Sequence, residues 1–354
     1  MHSSEVYTAI GLMSGTSLDG VDVALLRSDG GSYVEALAFQ SFPYDEALRE
    51  VLRACFGRRA HDEAVKEAEA LLTGAHIEAV ASFGHPADVI GFHGQTLTHD
   101  PAAGFTWQIG DGALLARETG MEVVCDFRSA DVKAGGQGAP LVPLYHQALA
   151  APLEKPLAIL NLGGVGNMTY LGEGEALLAF DTGPGNALID DFVKERLSLP
   201  YDKDGALALQ GQADEARLAG WLSDPYFQKS PPKSLDRQDW DVSGVAALPD
   251  AAGACTLTEF TVRSVLESLK YLPARPKRFL VTGGGRKNKA IMEGLRRVLD
   301  MPVAPVEEVG WNGDALEAEG FAYLAVRAKL GLPLTLPETT GVKEPLSGGV
   351  FYKP

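Results

Sequence analysis

Three cysteines in 354 residues, Cys55, Cys125 and Cys255, are too few and too scattered for a disulfide-stapled or zinc-bound fold. They form no C-x-x-C pair and read as ordinary thiols of a reducing compartment. Long apolar runs are missing as well. No stretch approaches the roughly 20 residues that cross a bilayer. The opening "MHSSEVYTAIGLMSG" lacks a basic segment followed by an apolar one, so no secretory signal is expected. Positive charge is scarce: 31 Lys and Arg stand against 47 Asp and Glu, a formal charge of −16, which argues against nucleic acid as the main partner. These gaps together predict a soluble, cytoplasmic protein with neither a membrane nor a nucleic-acid partner.

Familiar catalytic signatures are missing too. There is no G-x-x-x-x-G-K-[ST], no G-x-G-x-x-G opening a first βαβ unit and no G-x-S-x-G. A P-loop ATPase, a dinucleotide-binding domain and a serine hydrolase therefore find no support. His61, His76, His85, His99 and His146 have no metal-ligand spacing and read as surface or structural residues. Trp107, Trp221, Trp240 and Trp311 read as core or rim aromatics.

What is present is a chain with 45% apolar residues and 22% charged, ample for two packed cores. Strand-like runs at residues 7–13, 21–27 and 33–42 precede helical patterns at 45–56 and 62–83. "DVIGFHG" and "MEVVCDF" read as buried strands with the helix-like "GALLARETG" between them. The stretch "KAGGQGAPLVP" (133–143) is dense in Gly and Pro, a loop or hinge that predicts closure of two halves on ligand. After it the pattern restarts. "LAILNLGGVGNMTYLG" is strand, Gly-rich turn, strand; "ALLAFDTG" is a third strand; "NALIDDFVKERL" is a helix. Residues 261–271 carry one apolar helical face, "RFLVTGGG" is a strand ending in three glycines, and "NKAIMEGLRRVL" is a helix. This is an architectural repeat of two α/β halves, which, facing each other across a cleft, would bring their Gly-rich turns together.

Those turns are Gly15-Thr16-Ser17, Gly163 to Asn167, Gly183 to Asn186, and Gly283-Gly284-Gly285. Backbone N–H groups in such turns converge on anions, and the last two run towards helix N-termini, which also favour phosphate. One such turn is most simply a tight reversal. Four, symmetrically placed, point to a nucleotide. Asp19 and Asp22 stand beside the first turn, where small residues would let an anion or a metal come close.

The residues then carry a resemblance. The paired strand–turn–strand layout is similar to the actin, hexokinase and Hsp70 ATPase group, two similar RNase H-like α/β domains flanking an interdomain cleft. More narrowly, "GLMSGTSLDGVDVAL", "GFHGQT", "WQIGDGALLA", "VVCDFRSADVKAGGQGAPLVP", "LNLGGVGNMTYL", "FDTGPGNALIDDF", "VTGGGRKNKAIMEGL" and "GDALEAEGFAYLA" resemble the anhydro-N-acetylmuramic acid kinase family, in order, from residue 11 to about 325. The implied activity uses MgATP to open 1,6-anhydro-N-acetylmuramic acid hydrolytically and phosphorylate its O6, in peptidoglycan recycling and amino-sugar catabolism. The implied assembly is a homodimer. The implied lobes are residues 1–132 with a tail at about 340–354, and residues 133–339. The tail is expected to pack back on the first lobe.

By this resemblance Gly15, Thr16, Ser17, Leu18, Asp19, Gly20, Val21 and Asp22 bind ATP phosphates. Gly163, Gly164, Asn167, Gly283, Gly284, Gly285 and Asn288 complete the ATP site, with Asp19 the candidate Mg²⁺ ligand. Asp181 ends an apolar strand and is the implied general base, taking a proton from the water that attacks C1. Read without the family it is an Asx turn or a helix cap. Glu317, aligned with Phe321 and Leu324 at helical spacing, is the implied contact of sugar or attacking water. Its alternative is a capping box with Asp314 at the N-cap. His93 and Gln95 are implied sugar contacts. Arg128 suits the lactyl carboxylate, since guanidinium binds carboxylate bidentately, or else pairs with Asp126 or Asp131.

The chain departs from the family at "LDRQD", where a Thr-Gly-Arg-Glu-like stretch is usual, leaving Asp236 and Arg237 without an assigned role. Leu12-Met13 replaces the acid that precedes the first turn in wider relatives. Two other readings compete: a catalytically silent nucleotide- or sugar-binding protein of the same fold, and a peptide-binding chaperone, for which no appended β-rich domain is visible.

Overall fold

The computed structural model describes residues 5–235 and 239–354; Asp236 and Arg237 lie outside them. The chain divides into two compact units, residues 1–153 with 315–354, and residues 154–314. The first unit runs β1 (Tyr7–Met13), β2 (Gly20–Ser28), β3 (Val34–Pro43), α1 (Glu46–Ala54), α2 (Glu63–Phe83), β4 (Val89–Phe92), β5 (Gln95–Asp100), β6 (Phe105–Ile109), α3 (Gly112–Thr119), β7 (Val123–Cys125), α4 (Ser129–Lys133) and α5 (Pro143–Leu149). The second runs β8 (Leu157–Leu162), β9 (Val165–Leu171), β10 (Leu177–Pro184), α6 (Ala187–Leu197), α7 (Glu215–Leu222), α8 (Asp250–Ser268), β11 (Phe279–Thr282), α9 (Lys289–Leu299) and β12 (Val303–Pro305). The chain then returns to the first unit with α10 (Leu316–Lys329) and β13 (Val350–Tyr352).

The two principal sheets share one topology. In the first, the order is β13-β7-β4-β1-β2-β3; in the second, β10-β9-β8-β11-β12. Each begins with a three-stranded antiparallel meander, β1-β2-β3 or β8-β9-β10, and adds parallel strands beside the meander's first strand, β4 and β7 or β11 and β12. The repeat read from the sequence is thus a repeat of strand order. Strand β8, "LAILNL", is buried at all six positions, as a central strand covered on both faces must be.

Helix α10 explains where the first unit ends. It lies directly on β1 and β4, and a Cβ at Gly11 would come within 1.8 Å of Ala318 O, one at Gly91 within 2.2 Å of Phe321 O. The strand glycines remove the side chains that would hold the helix off the sheet. The unit edges therefore fall at 153/154 and 314/315, where the sequence reading set them at 132/133 and 339/340. The Gly/Pro stretch at 134–143 lies inside the first unit. Asp131 accepts Gly138 N–H at 2.6 Å, Gln137 N–H donates to Thr340 O at 2.7 Å, and Arg128 Nη1 donates to Gly138 O at 2.7 Å. Strand β13 pairs antiparallel with β7 and brings the C-terminal segment onto the first sheet.

Among the described residues no helix is long and apolar enough to cross a membrane. Cys55 is buried, Cys125 and Cys255 are partly buried, and all three are free thiols.

Candidate active site

In the second unit, cross-strand register assembles a polar row. Asp181 on β10 lies opposite Asn167 on β9, Asn167 opposite Asn161 on β8, and Asn161 opposite Thr282 on β11. Directly opposed residues share a face of a sheet, so four polar side chains cross four strands in line. Asp181, Asn161 and Thr282 are each buried. The row stands at the carboxyl end of the parallel pair β8 and β11, the end where α/β sheets place ligands.

Three Gly-rich turns gather at that same end. Gly185 N–H donates to Gly164 O at 3.0 Å and Asn186 N–H to Gly163 O at 2.7 Å, while Asn186 Nδ2 donates to Leu162 O at 2.8 Å. Gly284 adjoins Asn186, since a Cβ there would stand 3.4 Å from Asn186 Nδ2. Space separates these glycines into two kinds. A Cβ at Gly283 or Gly285 would strike Asn161 or Leu162, so packing alone requires glycine. A Cβ at Gly163 or Gly164 would meet no atom nearer than 3.6 Å, so the protein's own packing does not demand glycine there. Asn288 accepts Ile291 N–H at 3.2 Å as the N-cap of α9, so its side-chain oxygen serves the helix.

Asp181 bonds to Lys233, Leu235 and Tyr226. Its Oδ2 accepts Leu235 N–H at 2.8 Å, its backbone N–H donates to Lys233 O at 3.0 Å, and its carbonyl accepts the Tyr226 hydroxyl at 2.5 Å. Asp181 is not the cap of the helix that follows it. The N-cap of α6 is Asn186, with no side-chain capping bond.

In the first unit, the turn equivalent to Gly163-Gly164 is the first loop. Leu18 N–H donates to Gly15 O at 3.1 Å and Tyr44 N–H to Asp19 O at 3.1 Å. Leu18 has φ of 60° and a side chain buried in the core, so a strained backbone is held in place by an apolar anchor. Leu18 and Val21 are both core residues and can offer a ligand only their backbone. Thr16, Ser17 and Asp19 are exposed, and Asp22 accepts the Ser41 hydroxyl. Ser14 Oγ donates to Gly94 O at 3.2 Å, tying the loop to the turn that follows β4.

That turn carries His93 and Gln95. Burial, with the Arg128 charge adding to it, holds the His93 imidazole far below its usual pKa and so neutral. One tautomer satisfies its contacts: Nδ1–H donates to Gly94 O at 2.7 Å, and Nε2 accepts Arg128 Nε at 3.1 Å and Nη2 at 2.9 Å. Arg128 is thus oriented by a neutral histidine and by Gly138 O. Asp126 accepts Ser129 N–H at 3.1 Å, and Asp131 accepts Gly138 N–H and, at 2.6 Å, the Thr340 hydroxyl. Gln95 is fully buried, and its Oε1 has no hydrogen-bond partner among the described residues.

Glu317 does not take part in the capping box that its spacing from Asp314 allows. It is exposed in the first turn of α10, although Phe321 and Leu324 on its helical face are buried. The N-cap is Ala315, not Asp314, and no capping box forms; Asp314 instead binds Arg286 at 3.0 Å and Lys287 at 2.8 Å. The buried acid of the helix is Glu319, which accepts the Tyr145 hydroxyl at 2.7 Å and whose pKa is raised by burial. Among the described residues no group of three His, Cys, Asp or Glu side chains could hold a metal ion. Sequence reasoning also missed Lys233, Leu235 and Tyr226 around Asp181, because their only signal is three-dimensional.

A family model described as anhydro-N-acetylmuramic acid kinase matches residues 7–354. The anhydro-N-acetylmuramic acid kinase of Rhodospirillum rubrum is 54% identical over 351 residues, covering 97% of this chain and 94% of the relative. That of Rhizorhabdus wittichii is 50% identical over 360 residues, covering 98% and 99%. Among solved structures, a ROK family glucokinase from Streptomyces griseus in complex with glucose and AMPPNP aligns over 90% of this chain and 98% of its own, at 13% identity and a TM-score of 0.43. With the model spanning both units and half or more of the residues shared with relatives of the same length, the chain belongs to the anhydro-N-acetylmuramic acid kinase family, a family of enzymes.

Proposed function

We propose that the protein opens 1,6-anhydro-N-acetylmuramic acid hydrolytically and phosphorylates its O6 with ATP, giving N-acetylmuramic acid 6-phosphate and ADP. Asp181 is the general base. It accepts a proton from the water whose oxygen bonds to C1; the C1–O6 bond breaks, O6 bonds to the γ-phosphorus, and the bond from that phosphorus to the ADP oxygen breaks. Water is a poor nucleophile, and a positioned base contributes about 10²–10⁴-fold. The observation that carries this reading is the Asp181 carboxylate at a strand end, in line with Asn167, Asn161 and Thr282 and held through Leu235 N–H.

The uncrowded turns Gly163-Gly164 and Gly15 to Ser17 receive the ATP phosphates, and Gly283 to Gly285 with Asn288 adjoins the adenosine. Phosphoryl transfer rests mainly on alignment and charge neutralisation. Mg²⁺ takes one or two carboxylates plus phosphate oxygens and water, so a three-acid cluster is not required. The exposed Asp19 beside the first loop fits that donor set, and the ion supplies charge neutralisation when bound. Arg128, pre-oriented by His93, receives the lactyl carboxylate; His93 and Gln95 line the sugar, and Glu317 contacts sugar or water. In this reading the enzyme works in the cytoplasm, as a homodimer, in cell-wall recycling.

ADP release measured with and without the anhydro sugar tests the activity. Sugar-dependent release is expected; none at all marks a silent binding protein, and slow release indifferent to sugar marks a chaperone-type ATPase. The first loop has its own test. A Cβ at Gly15 meets nothing nearer than 3.6 Å, so Gly15→Ala should keep the wild-type melting temperature and weaken ATP binding on the order of tenfold, about 1.4 kcal/mol. A Cβ at Gly20 comes within 2.2 Å of Phe42 O, so Gly20→Ala should instead lower stability by about 1–3 kcal/mol. Unchanged ATP affinity in Gly15→Ala would remove that loop from the phosphate site.

A further inference from the structure

The inner end of β10 is covered by a short strap, residues 233–235, whose bonds to Asp181 were described above. Beyond those bonds, the Lys233 side chain ties the strap to a cluster of rings. Lys233 is only 6% exposed, and its Nζ donates to Tyr226 O at 3.1 Å. The ammonium lies over the Tyr226 ring at 4.3 Å and the Tyr271 ring at 4.6 Å, with Phe180 at 5.9 Å. Each ring comes from a different element, and each is fixed. Tyr226 packs against Trp240 at 5.9 Å, Tyr271 donates its hydroxyl to Phe227 O at 2.6 Å, and Phe180 is the residue before Asp181.

An ammonium buried among rings is costly to desolvate, and an apolar chain of similar length would fill the space without that cost. Burial draws the Lys233 pKa down to about 8, with Lys270 and Lys229 adding to the effect and Asp181 opposing it. Lys229 and Lys270 also lie over the outer faces of this cluster, at 6.0 Å from Tyr226 and 5.3 Å from Tyr271. The charge is therefore what needs a reason.

We propose that Lys233 is a positioning residue: its ammonium, seated between Tyr226 and Tyr271, clamps the strap to β10 and so fixes the orientation of the Asp181 carboxylate through Leu235 N–H. The inference rests on Asp181 being the general base. With the clamp intact, Oδ2 is held by the strap and the carboxylate plane is set before substrate arrives. Without it, the strap loses its inner anchor, Leu235 N–H drifts, and the carboxylate samples rotamers that miss the water. Misplacement of about 1 Å costs on the order of 10²-fold in rate.

Steady-state kinetics of Lys233→Met and Lys233→Arg test this. Lys233→Met should melt at or above the wild-type temperature, lower kcat on the order of 10²-fold, and leave KM for ATP and for the anhydro sugar within about threefold. Lys233→Arg, which keeps a cation over the rings, should restore at least a tenth of wild-type kcat. A folded Lys233→Met with kcat within threefold of wild type overturns the proposal, as does a rise in KM with kcat unchanged. Should Lys233→Met fail to fold, Lys233→Arg decides: kcat below a tenth of wild type at a normal melting temperature overturns it. Asp181→Asn run alongside separates the two claims, because an active Asp181→Asn removes the base itself, whereas an inactive one beside a normal Lys233→Met removes only the clamp.

Discussion

Asp181→Asn should bind ATP with nearly wild-type affinity and lose turnover by 10²-fold or more, on the order of what a general base contributes. The structure makes the substitution a clean one. The amide oxygen can take the place of Oδ2 in accepting Leu235 N–H, and the backbone bonds to Lys233 and Tyr226 do not involve the side chain. Shape and these three bonds survive, while the carboxylate's charge and its capacity to take a proton are removed. Isothermal titration with ATP and a coupled ADP assay read the two properties separately. Turnover within tenfold of wild type would reject Asp181 as the base.

A second large effect is expected from pH. Burial lowers the pKa of His76, His99 and His146 to about 4, against an ordinary value of 6.5, and holds that of His93 well below the ordinary value too. All four belong to the first unit. Between about pH 6.5 and 4 the unfolded chain binds protons at these positions and the folded chain does not. Stability therefore rises with pH in that window and is lost as pH falls through it. Each imidazole lowered to about 4 accounts for roughly 3 kcal/mol when the window is fully crossed. His76 is the simplest to isolate: it is fully buried, its ring lies tilted against that of Phe92 with centroids 4.9 Å apart, and its Nε2 has no partner among the described residues. Urea unfolding followed from pH 7 to 4.5 should show a steep loss of stability, and His76→Leu should flatten it by about one proton's worth. An equal slope in the variant would contradict the assignment.

Much of this fold was legible because its signals are local. The meander strands of both sheets announced themselves as short apolar runs bounded by Gly and Asp, and Asp45 and Asp62 mark helix starts that the structure confirms as N-caps. Hairpin β5–β6 was not read, since "QTLTHD" is mostly polar, "FTWQI" spans only five residues, and their pairing depends on a turn between them. The N-terminal half of α8 was also missed, because small and polar residues such as Gly253, Thr256 and Thr258 are buried there rather than forming an apolar stripe: Gly253 lies against Phe192 of α6, and Thr256 accepts Asp214 N–H. Glu317 shows a sharper limit. A helical wheel separates faces only when one face is wet, and α10 is buried almost all round, so Glu319 was overlooked. Asp181 could be named from its place at a strand end, but the Lys233 clamp could not. Its rings come from residues 180, 226 and 271, and nothing in the local sequence says that they meet.

The most direct test of the central claim is the fate of one oxygen atom. The reaction is run in ¹⁸O-water under single-turnover conditions, and the sugar phosphate is analysed by mass spectrometry against unlabelled product kept in the same water without enzyme. One heavy oxygen on the sugar ring, in excess of that control, with none in the phosphate, is the predicted result, because water attacks C1 while O6 takes the phosphoryl group. Label in released inorganic phosphate, or a phosphorylated sugar that retains its anhydro ring and no heavy oxygen, would contradict it.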